Sequence, residues 1–416
     1  MSMAVGLLHN IRRVKAMVRQ DGLLRTARAV WYRLRHGQKA PWQQIDVFQH
    51  YAFAWPADIH ALPGKGDAGT LLWFIPDFNL GSGGHLNIFR TIWHLEQMGY
   101  TSTIVIGKPV LHHDAEAARA AIRQHFFPLN AQVIVGLQAL PPVEFAVATG
   151  WDTAYDVRAF HGAQHKLYFV QDFEPHFYPV GTESVLAENT YRFGFFGITA
   201  GHWLAEKLAL DYGMATHPVG FGVELERYQR LPRREPEIRR VFFYARPPTP
   251  RRAFEIGLLV LNAVWERLPN TQFVLAGWDT AGYHIPFSHL ACGTVALDEL
   301  PDLYSQCDVA LVLSLTNASL LPLELMACGC TVVSNRGPNV EWLLNGDVAN
   351  LVEPTPEGLT DSICALLEDD QTRHAMSARA ERFARGQTWE TVAQAFEAGL
   401  QRARLQPAEK ERKCVV

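Results

Sequence analysis

The sequence predicts an α/β protein made of two Rossmann-like parallel-sheet domains in tandem, and three observations lead to it. The 416 residues, 48% of them hydrophobic and 19% charged, exceed what one ordinary core organises and supply material for two. Short apolar runs such as Leu71-Leu-Trp-Phe-Ile75 alternate with helical segments, the pattern of strands covered on both faces of a sheet. The alternation restarts after His217-Pro218, so the β-α series is run twice.

Taken in order, residues 5–35 read as helical, with Leu7, Leu8, Ile11, Val14 and Val18 at three- to four-residue spacing and Gly22 dividing two helices. Basic residues fill the gaps between them. Such helices can lie on an anionic membrane surface, or pack on the protein's own body with the basic face in water. Ala61–Gly69 is rich in glycine and reads as a loop. Strands then fall at 71–75, 103–106, 132–135, 145–148, 167–170 and 197–199. After the first of these comes Gly81-Ser-Gly-Gly84 and a helix carrying Leu86, Phe89, Ile92, Trp93 and Leu95, ended by Gly99-Tyr100.

The second series has strands at 241–244, 272–276, 309–313 and 331–333, with helices near 252–267, 298–306 and 319–328. Helices at 357–369 and 372–385 follow, and Thr388-Trp-Glu390 caps a last one at 389–404. The expected organisation is a basic helical region 1–65, an N-terminal Rossmann-like domain 66–215 and a C-terminal one 216–388. A helix 389–404 and a charged tail 405–416 complete it.

Composition narrows the function classes. No stretch approaches the roughly 20 uninterrupted apolar residues of a membrane-spanning helix. The basic N-terminus lacks an apolar segment followed by a small-residue cleavage site, so cytoplasmic residence is expected. Residues 1–40 hold nine Lys/Arg against one acid, Asp21, which leaves the rest of the chain more acidic than the net charge of −4. A nucleic-acid-binding body does not fit that balance. The cysteines Cys292, Cys307, Cys328, Cys330, Cys364 and Cys414 show no paired spacing and read as free thiols. Neither His112-His113-Asp114 nor the scattered histidines have a metal-ligand spacing, so no metal is expected.

Ligands of open parallel sheets bind where strands end and helices begin. The first such place is Gly81-Ser-Gly-Gly84, whose glycines suit close approach of an anion and equally suit a plain tight turn. It lacks the third glycine of a dinucleotide fingerprint. The second is Tyr244-Ala-Arg246-Pro-Pro-Thr-Pro-Arg251-Arg252, where guanidinium groups suit a diphosphate or would be a solvated turn. The third is the loop 314–320, which feeds a helix whose one acid, Glu324, needs a partner among apolar neighbours. Asp172 and Glu174 alternate on a strand end and would share a face, either converging on a ligand or pairing with a base such as Arg192. Two acids alone make a poor metal site.

From 217 to 334 the order of these pieces resembles the donor-binding half of family-four retaining glycosyltransferases of the GT-B fold. The resemblance rests on His217–Tyr228, on Ala245-Arg246 with Arg251, on Gly293–Tyr304 with Cys307-Asp308, and on Leu321-Pro-Leu-Glu324 with Ala327 and Gly329. Val170–Pro175, Ala187–Arg192, Ile198–Gly201 and Pro250–Phe254 are most similar to bacterial rhamnosyltransferases of the WsaF type. The likeness runs over about residues 70–390.

What the resemblance implies can be stated residue by residue. Arg246 and Arg251 would neutralise the diphosphate, aided by the amides of Ser319 and Leu320. Glu324 would take the ribose, the backbone at Thr294 and Val295 the base. Gly83 and Gly84 would approach the diphosphate from the other domain, and Asp172 and Glu174 would face the sugar or acceptor hydroxyl. Two departures stand out. The first carboxylate of the family's E-x7-E element falls at Thr316, and the acceptor-side His-Asp is Gln171-Asp172.

The expected activity is transfer of L-rhamnose from dTDP-β-L-rhamnose to a saccharide or lipid-linked glycan acceptor, with retention and without a cofactor. Residues 1–35 would give a peripheral contact at the inner membrane face. The alternatives are the same fold using a UDP- or GDP-hexose, and a non-catalytic scaffold that binds a nucleotide sugar.

Overall fold

The computed structural model describes residues 47–406. The basic helices expected over 5–35, and Cys414, lie outside them. A short leading segment up to Trp55 holds a helix, Val47–His50, and a 3-10 turn, Ala52–Ala54. The body from Pro56 onward forms one compact unit.

The first sheet holds β1 (Thr70–Ile75), β2 (Thr101–Ile106), β3 (Gln132–Val135), β4 (Val143–Ala148), β5 (Ala163–Val170), β6 (Phe196–Ala200) and β7 (Thr216–Val219) in the order β3-β2-β1-β4-β5-β6-β7. The second holds β8 (Arg240–Tyr244), β9 (Gln272–Ala276), β10 (His289–Gly293), β11 (Val309–Val312), β12 (Thr331–Asn335) and β13 (Ala349–Val352) in the order β10-β9-β8-β11-β12-β13. Every pairing in both is parallel. The central strands are buried along nearly their whole length because helices cover both faces, which is why their sequences are continuous apolar runs rather than alternating ones.

Each sheet reverses its winding once, between β1 and β4 in the first and between β8 and β11 in the second. Crevices open at such points, since the loops leaving the two adjacent strands diverge. At the second point the loops 245–253 and 313–320 are tied together by the Leu315 amide, which donates to the Arg251 carbonyl at 3.0 Å.

One boundary differs from the sequence reading, and the last helix gains its place in the fold. Thr216–Val219, expected to open the C-terminal domain, is the edge strand of the first sheet, hydrogen-bonded to β6. Its Thr-His-Pro-Val sequence is tolerated there because Pro218 can sit where a ladder donor is dispensable. The helix Trp389–Arg404 starts where Thr388 accepts from the Thr391 amide. It returns to the first sheet rather than standing alone. Phe396 and Leu400 enter that sheet's core, with the Phe396 ring 5.7 Å from Trp73 and 5.3 Å from Phe169. Arg404 locks the helix end through a two-pronged bond to Glu144 at 2.6 and 2.8 Å.

The strand ends of the two sheets meet at Gly201, just after β6. Its φ of +93° and ψ of 158° are open to glycine, and a Cβ there would lie 2.4 Å from the Trp342 indole of the second sheet's side. Gly201→Ala should therefore destabilise the protein by about 2–4 kcal/mol through combined backbone strain and overpacking. A melting temperature equal to that of the parent protein would show that this contact does not hold the two halves together.

Candidate active site

The site is built from what the strands leave exposed at their carboxyl ends. Strand β8 ends in Tyr244 and hands Arg246, Arg251 and Arg252 to the loop before the helix Phe254–Arg267. Strand β11 ends in Val312 and hands over Ser314 to Leu320. Across from them, β5 ends in Val170 and hands over Gln171 and Asp172.

Arg251 reaches across to the first sheet's side. Its Nε lies 3.3 Å from Asp172 Oδ2, and its guanidinium carbon sits 4.0 Å from the centre of the Phe177 ring. Arg252 lies deeper and donates to the Ser314 hydroxyl. Burial pulls its pKa below the usual guanidinium range, with Asp172 acting in the opposite sense. Arg246 stays on its own side, donating to Thr249 Oγ1 at 3.2 Å and to the Tyr244 hydroxyl at 3.4 Å. Its charge is felt at Arg252, so the three cations form one cluster.

Asp172 is the only carboxylate among the described residues paired with Arg251. Burial pushes its carboxyl upward, while Arg251, Arg252 and the Thr316 hydroxyl pull it down. Thr316 thus stands where the resemblance puts a carboxylate, and its buried Oγ1 holds no hydrogen bond of good geometry yet lies against Asp172.

Glu174 does not join Asp172. The strand ends at Val170, and residues 174–177 form a 3-10 turn, so alternation along an extended chain no longer applies. The Glu174 side chain turns into the first sheet's side instead, accepting from the Trp151 amide at 2.7 Å and the Tyr168 hydroxyl at 2.8 Å. It holds the start of the helix Trp151–Ala159. Burial pushes its pKa up to about 8. Arg192, the alternative partner, pairs with Glu188 at 2.9 Å.

Glu324, on the helix Leu321–Ala327, lies beside the Tyr228 hydroxyl and within the field of Arg90. The pKa is pushed up to about 7 by burial, with Arg90 of the first sheet's side the strongest opposing influence and Glu224 adding to the rise. Arg90 is itself buried, forms an ion pair with Glu224, and stacks 4.1 Å from the Trp389 ring centre. Thr294 and Val295 follow β10, with Val295 packed against the second sheet's core. Ser319 and Leu320 precede the Leu321–Ala327 helix, with Leu320 as its N-cap.

Gly83 opens the helix Gly83–Gln97. A Cβ on Gly83 would meet nothing within 4 Å, and one on Gly84 only the Gln171 amide at 3.8 Å. The turn's conformational demand falls on Gly81, at φ +82°. Packing within the chain therefore requires neither Gly83 nor Gly84, and open space stands above both.

Sequence reasoning missed the residue that fastens this region, Asn317. It is fully buried and its Nδ2 donates to the Gln171 and Ala200 carbonyls, both at 3.0 Å, while Oδ1 accepts from the Trp342 indole at 2.8 Å. Asn335 and Asn339 donate to the Ser314 carbonyl at 3.0 and 2.7 Å. Polar residues of this kind look like loop composition in a sequence, and only their partners reveal the role. Arg252 and Ser314 were within the segments singled out, but nothing marked them individually. Among the described residues no group of three or more His, Cys, Asp or Glu could hold a metal, and no helix is long and apolar enough to cross a membrane.

The comparisons agree with this architecture. The family described as WsaF, N-terminal domain, matches residues 138–199, and WsaF, C-terminal domain, matches residues 239–364. The O-antigen biosynthesis protein RfbC of Myxococcus xanthus is 37% identical over 372 residues, covering 85% of this chain; the chain spans 28% of that relative's length. Sucrose-phosphate synthase from Thermosynechococcus elongatus superposes with a TM-score of 0.62 at 14% identity, over 81% of this chain and 98% of that one. Anabaena HepE, solved with UDP and glucose, gives a TM-score of 0.62 at 16% identity, over 80% and 99% of the two chains.

The Glu174 geometry makes a stability prediction. Above its ordinary 4.5 the unfolded chain ionises this carboxyl, while the folded protein keeps it protonated up to about 8. Its contribution therefore makes stability fall as pH rises from about 4.5 to about 8 and level off beyond, because the folded state binds the extra proton. Glu174→Gln should flatten the melting temperature over that window; parallel curves for the two proteins would contradict the placement.

With the WsaF N- and C-terminal domain matches falling in order on the first and second sheets, the chain is WsaF-like and has the GT-B fold of two Rossmann-like halves joined at their strand ends.

Proposed function

We propose that the chain is a glycosyltransferase that moves L-rhamnose from dTDP-β-L-rhamnose to a saccharide hydroxyl, with retention, during assembly of a cell-surface glycan. The observation that carries this reading is the cluster of Arg246, Arg251 and Arg252 at the β8/β11 switch point, opposite Asp172. A diphosphate brings two negative groups to that cluster and takes over Arg251 from the single Asp172 carboxylate. As the bond from sugar to phosphate breaks, charge grows on the departing diphosphate, so each guanidinium contact strengthens towards the transition state. The amides of Ser319 and Leu320 add to that field.

Glu324 accepts a hydrogen bond from the nucleotide's sugar ring, and the backbone at Thr294 and Val295 receives the base. The open space above Gly83 and Gly84 admits the donor from the first sheet's side. Asp172, released from Arg251, faces the rhamnose or the acceptor hydroxyl. The name of the Myxococcus xanthus relative supports the glycan context. The acceptor in this reading is a saccharide or lipid-linked glycan reached from the cytoplasmic face, with residues 1–35 as the membrane contact.

Donor consumption tests the reading. Given a glycan acceptor and dTDP-L-rhamnose, UDP-glucose or GDP-mannose in turn, the protein should release a nucleoside diphosphate from the first alone. Turnover of a UDP- or GDP-hexose would move the donor assignment, and dTDP binding without turnover on any acceptor would leave a scaffold. Arg246→Ala should lower kcat about 100-fold and raise the donor KM; unchanged kinetics would remove Arg246 from the mechanism. Because the Glu324 carboxyl titrates at about 7 and accepts as the carboxylate, nucleotide affinity should rise from pH 6 to pH 8. Glu324→Gln should abolish that rise, and a rise of the same size in the variant would place the nucleotide's sugar elsewhere.

A further inference from the structure

Strand β9 ends in Ala276 and is followed by Gly277 and Trp278. Gly277 has φ +118°, and a Cβ on it would lie 2.6 Å from the Tyr244 ring and 3.2 Å from the Ala245 carbonyl. Only glycine fits so close to the end of β8. The Gly277 amide donates to the Gly293 carbonyl at 2.7 Å, which fixes the turn against the end of β10. The residue after Gly293 is Thr294, so the turn that carries Trp278 is fastened at the strand end that leads into Thr294-Val295 and against the end of β8 that leads into Arg246.

Trp278 is 42% exposed, and it is the sole exposed tryptophan among the described residues of the body. Its ring centre lies 5.9 Å from the Arg246 guanidinium carbon. An indole left in water beside a cationic cluster has an apolar face to cover, and a planar heterocycle covers it well. The sequence reading gave this residue no role, and the β9 loop entered no motif.

We propose that Trp278 is the stacking platform for the nucleobase of the donor, with the base lying flat on the indole and its edge turned to the Thr294-Val295 backbone. This rests on the reading of the Arg cluster as the diphosphate site. It divides recognition into two parts. The guanidinium groups hold charge shared by every nucleoside diphosphate, whereas the indole rewards the planar base. Stacking tolerates any base through its π-face, so the choice of base belongs to the turn at 294–295.

Calorimetric titration of the full chain with dTDP and, separately, with inorganic pyrophosphate tests it. Base–aromatic stacks are worth enough that Trp278→Ala should weaken dTDP about tenfold or more. Trp278→Phe should stay within about threefold of the parent, and pyrophosphate affinity should be the same in all three proteins. Equal dTDP affinity in Trp278→Ala would overturn the stacking assignment while leaving the diphosphate site intact. A parallel loss of pyrophosphate affinity would also overturn it, because the indole would then act through Arg246. Failure of the parent protein to bind either probe would overturn the reading of the Arg cluster and this proposal with it. Unchanged melting temperatures for both variants separate these outcomes from a folding defect.

Discussion

A charge withdrawn from water must find a partner, and where the two sheets meet Arg251 finds one on the opposite side. Arg251 and Arg252 emerge from the end of β8, too far inside for full hydration, and Asp172 emerges from β5 to meet Arg251. Desolvation of such groups costs several kcal/mol apiece unless geometry and additional hydrogen bonds offset it. The surrounding polar residues make that possible. Asn317 joins backbone carbonyls of the first sheet to the Trp342 indole of the second side, and Ser314 receives Arg252 while Asn335 and Asn339 hold its carbonyl. The 314–320 loop is thus held by side-chain hydrogen bonds although it has no regular structure.

The same seam sets the chemistry. A cluster of three guanidinium groups is expensive to maintain and stabilises any polyanion that enters, and in the proposed reaction the polyanion gains charge as the glycosidic bond breaks. A second charged group, Arg90 paired with Glu224 and acting on Glu324, joins the helix Gly83–Gln97 to the donor side. The first sheet's side supplies one member of each group, Asp172 to one and Arg90 to the other. Catalysis of this kind comes from positioning and fixed electrostatics more than from any single proton transfer.

Much of the architecture was legible because buried parallel strands write themselves as continuous apolar runs. Gln132–Val135 and Gln272–Ala276 were placed with the observed limits, and the helix Trp389–Arg404 was read from its Thr388 cap. The strands that escaped, β7, β10 and β13, all lie at sheet edges, where one side meets solvent or loop and the apolar signal fades. His289–Gly293 is half exposed along its length. The Arg cluster was legible from its place after a strand and from the family resemblance. Glu174 was misread because a sequence does not say where a strand stops and a 3-10 turn starts. Asn317 and Trp278 were illegible since their meaning comes from partners more than a hundred residues away in one case and from an adjoining strand end in the other.

The most direct test is a crystal structure of the protein with dTDP bound. The account places the diphosphate within hydrogen-bond distance of Arg251 and of Arg246 or Arg252, with the Asp172–Arg251 pair opened to admit it. A nucleotide bound elsewhere, or one bound while Asp172 still holds Arg251, would contradict it.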